Sequence, residues 1–265
     1  MLFGKRKIKL VEVERDGMRE AGRFNAQLMD FVRPHMRPGA TTGEVDRLVY
    51  EYTRDHGHVP AQLGYQGFPK SCCTSVNNVI CHGIPGSYVL QDGDIVNVDV
   101  TTIVNNWHGD QSETFIIGEC NDLARKVTQG AFDAMHKAID ALWPGCQVAE
   151  IGRAVVAHAK KLKFSIVREY VGHGLGRHFH QEPSIPHYPN RQSRIDRLDP
   201  GMCFTVEPML NTGSRETVSD KRDGWTVRTK DGGLSAQFEH TVLMTEEGPE
   251  ILTLTKAGPQ KGHTF

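Results

Sequence analysis

No run of apolar residues approaches the roughly 20 that a membrane-spanning helix needs, so no such helix is expected in this chain. Its six cysteines in 265 residues include no C-x-x-C pair. That removes the usual zinc-ribbon and dithiol spacings and leaves too few thiols for a disulfide scaffold, so reduced cysteines are expected. Neither sign of charge prevails: 31 Lys+Arg stand against 32 Asp+Glu, a formal net charge of −1. Without a basic excess there is nothing to drive sequence-independent phosphate binding, and nucleic acid is not an expected main partner. The charged N-terminal stretch from Met1 to Lys9 is followed by no apolar segment, so no export signal is expected and the cytoplasm is the expected compartment. Low-complexity stretches and Ser/Pro-rich linkers are missing too, which points to one folded unit over residues 1–265. The one abundant side chain of chemical interest is histidine, with 13 copies.

The chain reads as two similar halves, about residues 15–118 and 123–250. Leu90-Gln-Asp-Gly93-Asp-Ile-Val-Asn-Val98-Asp99 aligns without a gap on Leu198-Asp-Pro-Gly201-Met-Cys-Phe-Thr-Val206-Glu207. Upstream, Gly22-x-Phe24-x-Ala26 and Pro38-Gly39-x4-Glu44-Val45 match Gly130-x-Phe132-x-Ala134 and Pro144-Gly145-x4-Glu150-Ile151. Helical spacing puts Met18, Ala21, Leu28, Met29 and Val32 on one face, and Leu123, Val127, Ala131, Ala134 and Ala138 on its counterpart. Thr41-x-x-Glu44 is a capping box opening a helix with Val45, Leu48, Val49 and Tyr52, matched by Val148, Ile151, Val155, Ala159 and Leu162. From Val96 to Thr101 the pattern changes to period two. The expectation is an α+β fold with pseudo-twofold symmetry, joined near Gly118 to Leu123.

Asn105-Asn106 is a hairpin turn between two strands. That turn sets residue 99 opposite 112 and 101 opposite 110, so Asp99 and Asp110 share a face as diagonal neighbours, roughly 7–8 Å apart at the backbone. In the second half Glu207 alternates with Val206 and Phe204, and Glu239 with Phe238 and His240. If the halves pack about their pseudo-axis, all four acids meet there. Such acids repel unless protonated or bridged by a cation. Two divalent ions balance four carboxylates, which favours a two-metal site over a single ion. A nitrogen donor is available in Tyr170-Val-Gly-His173-Gly-Leu-Gly, where glycines let the backbone approach closely; an imidazole beside carboxylates suits Mn, Fe, Co or Zn. By the duplication, Cys81-His82-Gly83 corresponds to Gly172-His173-Gly174.

These residues resemble the type I methionine aminopeptidases, metallopeptidases of the pita-bread fold, from about Glu14 to Leu254. The matching motifs are Leu63-Gly-Tyr65-x-Gly-Phe-Pro-Lys-Ser, Asn77-x4-His82-Gly-Ile-Pro, Asn97-Val-Asp99-Val, His108-Gly-Asp110, Gly172-His173-Gly-x-Gly, Phe204-Thr-Val-Glu207-Pro-Met and Ser235-Ala-Gln-Phe-Glu239-His-Thr. The resemblance implies an antiparallel sheet covered by helices, built from pseudo-twofold duplicated halves. It also implies a dinuclear centre with Asp99, Asp110, His173, Glu207 and Glu239 as ligands: Asp110 and Glu239 bridging, Asp99 on one metal, His173 and Glu207 on the other. His180 is then the donor to the oxyanion, His82 the contact to the scissile amide, and Glu207 the proton carrier. Tyr65, Phe68, Cys73, His82, Phe179 and Trp225 line a pocket for an unbranched thioether. Gln62 departs from the pattern at what is expected to be the pocket rim.

The implied activity is removal of the initiator methionine from nascent chains with small second residues, using two divalent ions (Co, Mn, Fe or Zn). Nascent N-termini are the implied partners, with the ribosome as a candidate contact, and a monomer is expected. Only 33 residues separate His173 from Glu207, too few for the inserted subdomain of the second type, and the short bacterial form is expected. Two alternatives stay open: a pita-bread peptidase acting on X-Pro bonds, and a catalytically silent relative that binds peptides or ribosomes.

Overall fold

The computed structural model describes residues 8–265; most of the N-terminal segment on which the absence of an export signal is judged, residues 1–7, lies outside them. Among the described residues no helix is long and apolar enough to cross a membrane. The first half runs α1 (Glu12–Val32), α2 (Thr42–Asp55), β1 (Val59–Pro60), β2 (Cys73–Val76), β3 (Val79–Cys81), β4 (Ile95–Val104) and β5 (Trp107–Ile116). The second runs α3 (Asp122–Asp140), β6 (Cys146–Gln147), α4 (Ala149–Leu162), β7 (Ser165–Ile166), β8 (Gly172–Gly174), β9 (Gln181–Ile185), β10 (Arg197–Leu198), β11 (Cys203–Val206) and β12 (Met209–Asn211). It ends with β13 (Thr217–Ser219), β14 (Val227–Thr229), β15 (Ser235–Gln237), β16 (Glu239–Met244) and β17 (Pro249–Ile251).

Local signals set the element boundaries. The Thr41 hydroxyl accepts from the Glu44 N–H at 3.1 Å while the Thr41 N–H donates to the Glu44 carboxylate at 2.6 Å, so the capping box closes both ways. The second half does without one at α4. There the Val148 and Ala149 N–H groups donate to the carbonyls of Asp196 and Ser193, so a loop does the work of a cap. Asn105 and Asn106 both sit at positive φ, 49° and 67°, in the two-residue turn between Val104 and Trp107. Asparagine tolerates that region, and the primed turn matches the strand twist. With the turn in place, Asp99 pairs with Ser112 and Thr101 with Asp110, the register expected.

The main sheet has nine strands in the order β1-β4-β5-β16-β11-β8-β9, with β2 also on β4 and β17 on β16. All its ladders are antiparallel. Its two inner hairpin-like pairs, β4-β5 and β16-β11, meet at β5 and β16. The outer face of the first half is apolar: Val96, Val98 and Val100 pack with Leu28, Met29, Val32, Val45 and Val49 of α1 and α2. Phe204, Val206, Phe238 and Val242 pack likewise under Phe132, Met135 and Ile151 of α3 and α4. Close approach of α1 to the sheet needs Gly109, where a Cβ would stand 2.5 Å from the Ala21 carbonyl oxygen. With helices on one face, the other is free to hold polar groups.

Leu123 departs from its expected place on the buried face of α3. It is 49% exposed, at the edge of the buried face, whereas Ala124 in the same turn is buried in the core. Glu207 stands just past β11, which ends at Val206, and Leu48 and Tyr52 are only partly buried. Phe132, by contrast, is fully buried and edge-on to Phe238. Replacing it with alanine is expected to cost about 3–5 kcal/mol of stability in urea unfolding, while Leu123→Ala stays within about 0.5 kcal/mol. Equal losses would contradict this partition.

Candidate metal centre

Five neighbouring strands each bring one functional side chain to the face opposite the helices. In sheet order these are Asp99 from β4, Asp110 from β5, Glu239 from β16, Glu207 at the end of β11, and His173 from β8. Ser112 pairs with both Asp99 and Glu239, so these three lie in one row across the sheet. Asp110 is two residues from Ser112 and therefore on the same face. Asp110, His173 and Glu239 bring ligand atoms within 4.8 Å of one another. His173 Nε2 stands 3.6 Å from Asp110 Oδ2 and 3.7 Å from Glu207 Oε1.

The supporting hydrogen bonds leave ligand-type lone pairs directed inward. His173 Nδ1 is 3.1 Å from the Gly174 carbonyl, an acceptor only, so Nδ1 carries the hydrogen and Nε2 is left bare. Burial, reinforced by His180, lowers the His173 pKa to about 3, which keeps the ring neutral. The Thr101 hydroxyl donates to Asp110 Oδ1 and the Thr205 hydroxyl to Glu207 Oε1, both at 2.7 Å. Gln237 Nε2 donates to Glu207 Oε2 at 3.1 Å, and Gln62 Nε2 to Asp99 Oδ1 at 3.0 Å.

This face opens into a cavity of about 400 Å³ lined by Tyr65, Phe68, Cys73, Phe179 and Trp225 together with His82 and His180. Phe68 is both buried and part of the cavity wall, edge-on to Trp225 at 5.1 Å. His180 Nδ1 is 2.9 Å from the Tyr65 hydroxyl, and its ring lies 4.2 Å from that of His173. His82 is held at φ 56°, facing Tyr170 and Trp225 edge-on. Its neighbour Gly83 lies against β2 so closely that a Cβ would be 2.2 Å from the Thr74 carbonyl oxygen.

Residues 16–246 match the model of metallopeptidase family M24. The chain belongs to that family. It is 50% identical over 244 residues to methionine aminopeptidase A of Synechocystis sp., an alignment covering 92% of this chain and 95% of that protein. The crystal structure of methionine aminopeptidase from Rickettsia prowazekii superimposes with a TM-score of 0.91 at 44% identity, covering 94% of this chain and all of that one. Prolidase from Pyrococcus furiosus shares the fold, with a TM-score of 0.74 at 20% identity; 94% of this chain covers 66% of that one. The pita-bread architecture expected from the sequence is therefore present.

The residues fit the divalent ions that a metallopeptidase of this family uses. Strand β5 carries its own control. Glu113, buried 4% exposed on the apolar face, receives both Arg33 guanidinium nitrogens at 2.6 and 2.8 Å. Asp110, equally buried on the opposite face, has no such partner, and none of the four acids in the row pairs with a lysine or arginine among the described residues. A buried anion without a cation protonates or binds metal. Burial raises Asp99 to about 7 and Glu207 to about 8. Asp110 and Glu239 are raised well above the carboxylate range, first by burial, then by Asp99 and Asp110 respectively.

Some neighbours of the site escape sequence reasoning. Gln237 is two residues before Glu239, and Thr205 two before Glu207, so period-two alternation alone could have placed both. Met209, two residues after Glu207, continues that spacing, while Tyr170 lines the cavity with no such signal. Gln62 lines the cavity deep inside rather than at the rim: it is 5% exposed and lies against Asp99. The raised carboxylates set the sign of a pH effect. In the metal-free chain the folded state holds protons that the unfolded state releases above about pH 4, so their contribution to stability is lost as pH rises through the folded values. The melting-temperature gain on adding Mn(II) is expected to grow from about pH 5 to about pH 8. A gain independent of pH would contradict protons and metal competing for these acids.

Proposed function

We propose that this M24 metallopeptidase removes the initiator methionine from the N-termini of nascent proteins, favouring small second residues. The observation that carries the reading is the row of four cation-free acids and a neutral imidazole at the floor of an aromatic cavity of about 400 Å³. Asp99, Asp110, His173, Glu207 and Glu239 would hold two divalent ions. Ions bound there would supply an acidified water and polarise the scissile carbonyl.

The chain's own residues do the rest. Tyr65, Phe68, Cys73, Phe179 and Trp225 enclose the methionine side chain, whose thioether is favourably placed against aromatic edges, each such contact contributing about 0.3–1.5 kcal/mol. With the Tyr65 hydroxyl donating to Nδ1 of His180, Nε2 carries the hydrogen and becomes the donor to the carbonyl oxygen as negative charge develops there. His82 contacts the scissile amide. Glu207, held from two sides by Thr205 and Gln237, carries the proton from water to the departing amine. The likeness of halves 15–118 and 123–250, each supplying two of the four acids, supports one domain made by duplication. The monomer, the cytoplasm and a contact with the ribosome are part of the same proposal.

The test is to strip metal, restore Mn, Fe, Co or Zn singly, and assay Met-Ala-Ser beside X-Pro peptides. Methionine release with at least one ion is expected; release with none overturns the reading, and cleavage of X-Pro alone transfers it to the prolidase-like activity. His180→Ala is expected to lower kcat by about 10²–10³ with metal stoichiometry unchanged. A loss of metal from that variant would make His180 a ligand instead.

A further inference from the structure

Gln62 makes contacts that a cavity wall does not require. The outer edge of β4 is covered by β1 opposite Thr102 and Ile103 and by β2 opposite Val96 to Asp99, which leaves a gap between them. The Ala61 N–H reaches into it to the Thr101 carbonyl at 2.9 Å. The Gln62 side chain fills the remainder: Nε2 donates to the Asp99 carbonyl at 3.1 Å, and Oε1 accepts from the Thr101 N–H at 3.3 Å. The amide thus stands where the peptide group of an adjoining strand would be. A primary amide has a second hydrogen, and here it meets Asp99 Oδ1 at 3.0 Å. One side chain therefore ties the Asp99 carboxylate to its own backbone.

The far end of the row has the same device. Gln237 Nε2 donates to Glu207 Oε2 at 3.1 Å and to the Glu207 carbonyl at 3.3 Å. Asp99 and Glu207 are the outer acids, and each is clasped by a glutamine from another element. Few side chains can substitute. Glutamate at 62 would set a second anion against Asp99 and cannot donate while ionised. Methionine fills the volume but leaves the Asp99 carbonyl, the Asp99 carboxylate and the Thr101 N–H without this partner. Asparagine is one methylene too short.

Resting on the reading of Asp99 as a metal ligand, we propose that Gln62 is a positioning residue for the metal centre. It holds the Asp99 carboxylate toward the ion at its end of the row, as Gln237 holds Glu207 at the other. Because the two clasps act at opposite ends, loss of one weakens one ion selectively.

The test is calorimetric titration of Mn(II) into the metal-free full chain. Wild type is expected to bind two ions. Gln62→Met is expected to weaken one binding event roughly 10–100-fold and leave the other within about twofold. In an Asp99→Asn background the same change should add almost nothing, which a merely structural role for Gln62 would not produce. If Gln62→Met fails to fold, Gln62→Glu, which retains size and an acceptor, is expected to show the same selective loss. Wild-type binding of two ions with both affinities unaltered in the variant, or equal weakening of both, overturns the positioning role. Failure of the wild type to bind two ions overturns instead the underlying reading of the centre.

Discussion

Four carboxylates held by adjacent strands, largely shielded from water and without a cationic side chain, are the constraint on which the rest of the structure depends. Mutual repulsion at that spacing is tolerable only if protons or divalent cations take up the charge. The fold therefore has to supply what a lone acid pair does not need: rigid strands that do not splay, a neutral imidazole rather than an imidazolium, and donors that fix Asp99, Asp110 and Glu207 without neutralising them. Thr101, Thr205, Gln62 and Gln237 are neutral donors throughout, so the charge is left for the ions of a metallopeptidase.

The antiparallel sheet meets these demands by dividing its two faces. Valines on one side of β4 lie under α1 and α2, while Asn97, Asp99 and Thr101 point the other way. Where an acid falls on the helix side, as Glu113 does, an arginine is brought to it. Charge is thus compensated by an ion pair within the chain on one face and left to ions on the other. The cavity has its floor on the sheet and its aromatic walls, Tyr65, Phe68, Phe179 and Trp225, outside the strands, and the same short segment supplies Gln62, Tyr65 and Phe68, so the contact to Asp99 and the cavity wall are built together.

Much of this was legible in the residues. Two asparagines that accept positive φ made the β4-β5 register readable, and the register placed Asp99 beside Asp110. Duplication located Glu207, and the capping box located the start of α2. The clasp of Gln62 was not legible, because it depends on where β1 and β2 leave the edge of β4 unpaired, and a gap in a ladder has no local signal. Leu123 fitted the helical period yet is half exposed beside the buried Ala124, since periodicity defines a face but not where its edge falls. At α4 the cap is a distant loop, and the sequence next to Val148 carries no trace of it.

By itself, then, the sequence determined what nearest neighbours decide: turn type, strand alternation, helix caps and the likeness of the halves, together with the family to which the motifs point. Those follow from steric and hydrogen-bonding preferences acting over a few residues. Only the tertiary structure decided that acids from β4, β5, β16 and β11 form one row with His173, that Arg33 answers Glu113 but none of them, and that Gln62 completes the edge of β4. Each depends on segments far apart in the chain meeting in space, and for the row of acids that meeting is set by the spacing of about 4.8 Å between neighbouring strands, which the sheet imposes and the sequence does not state.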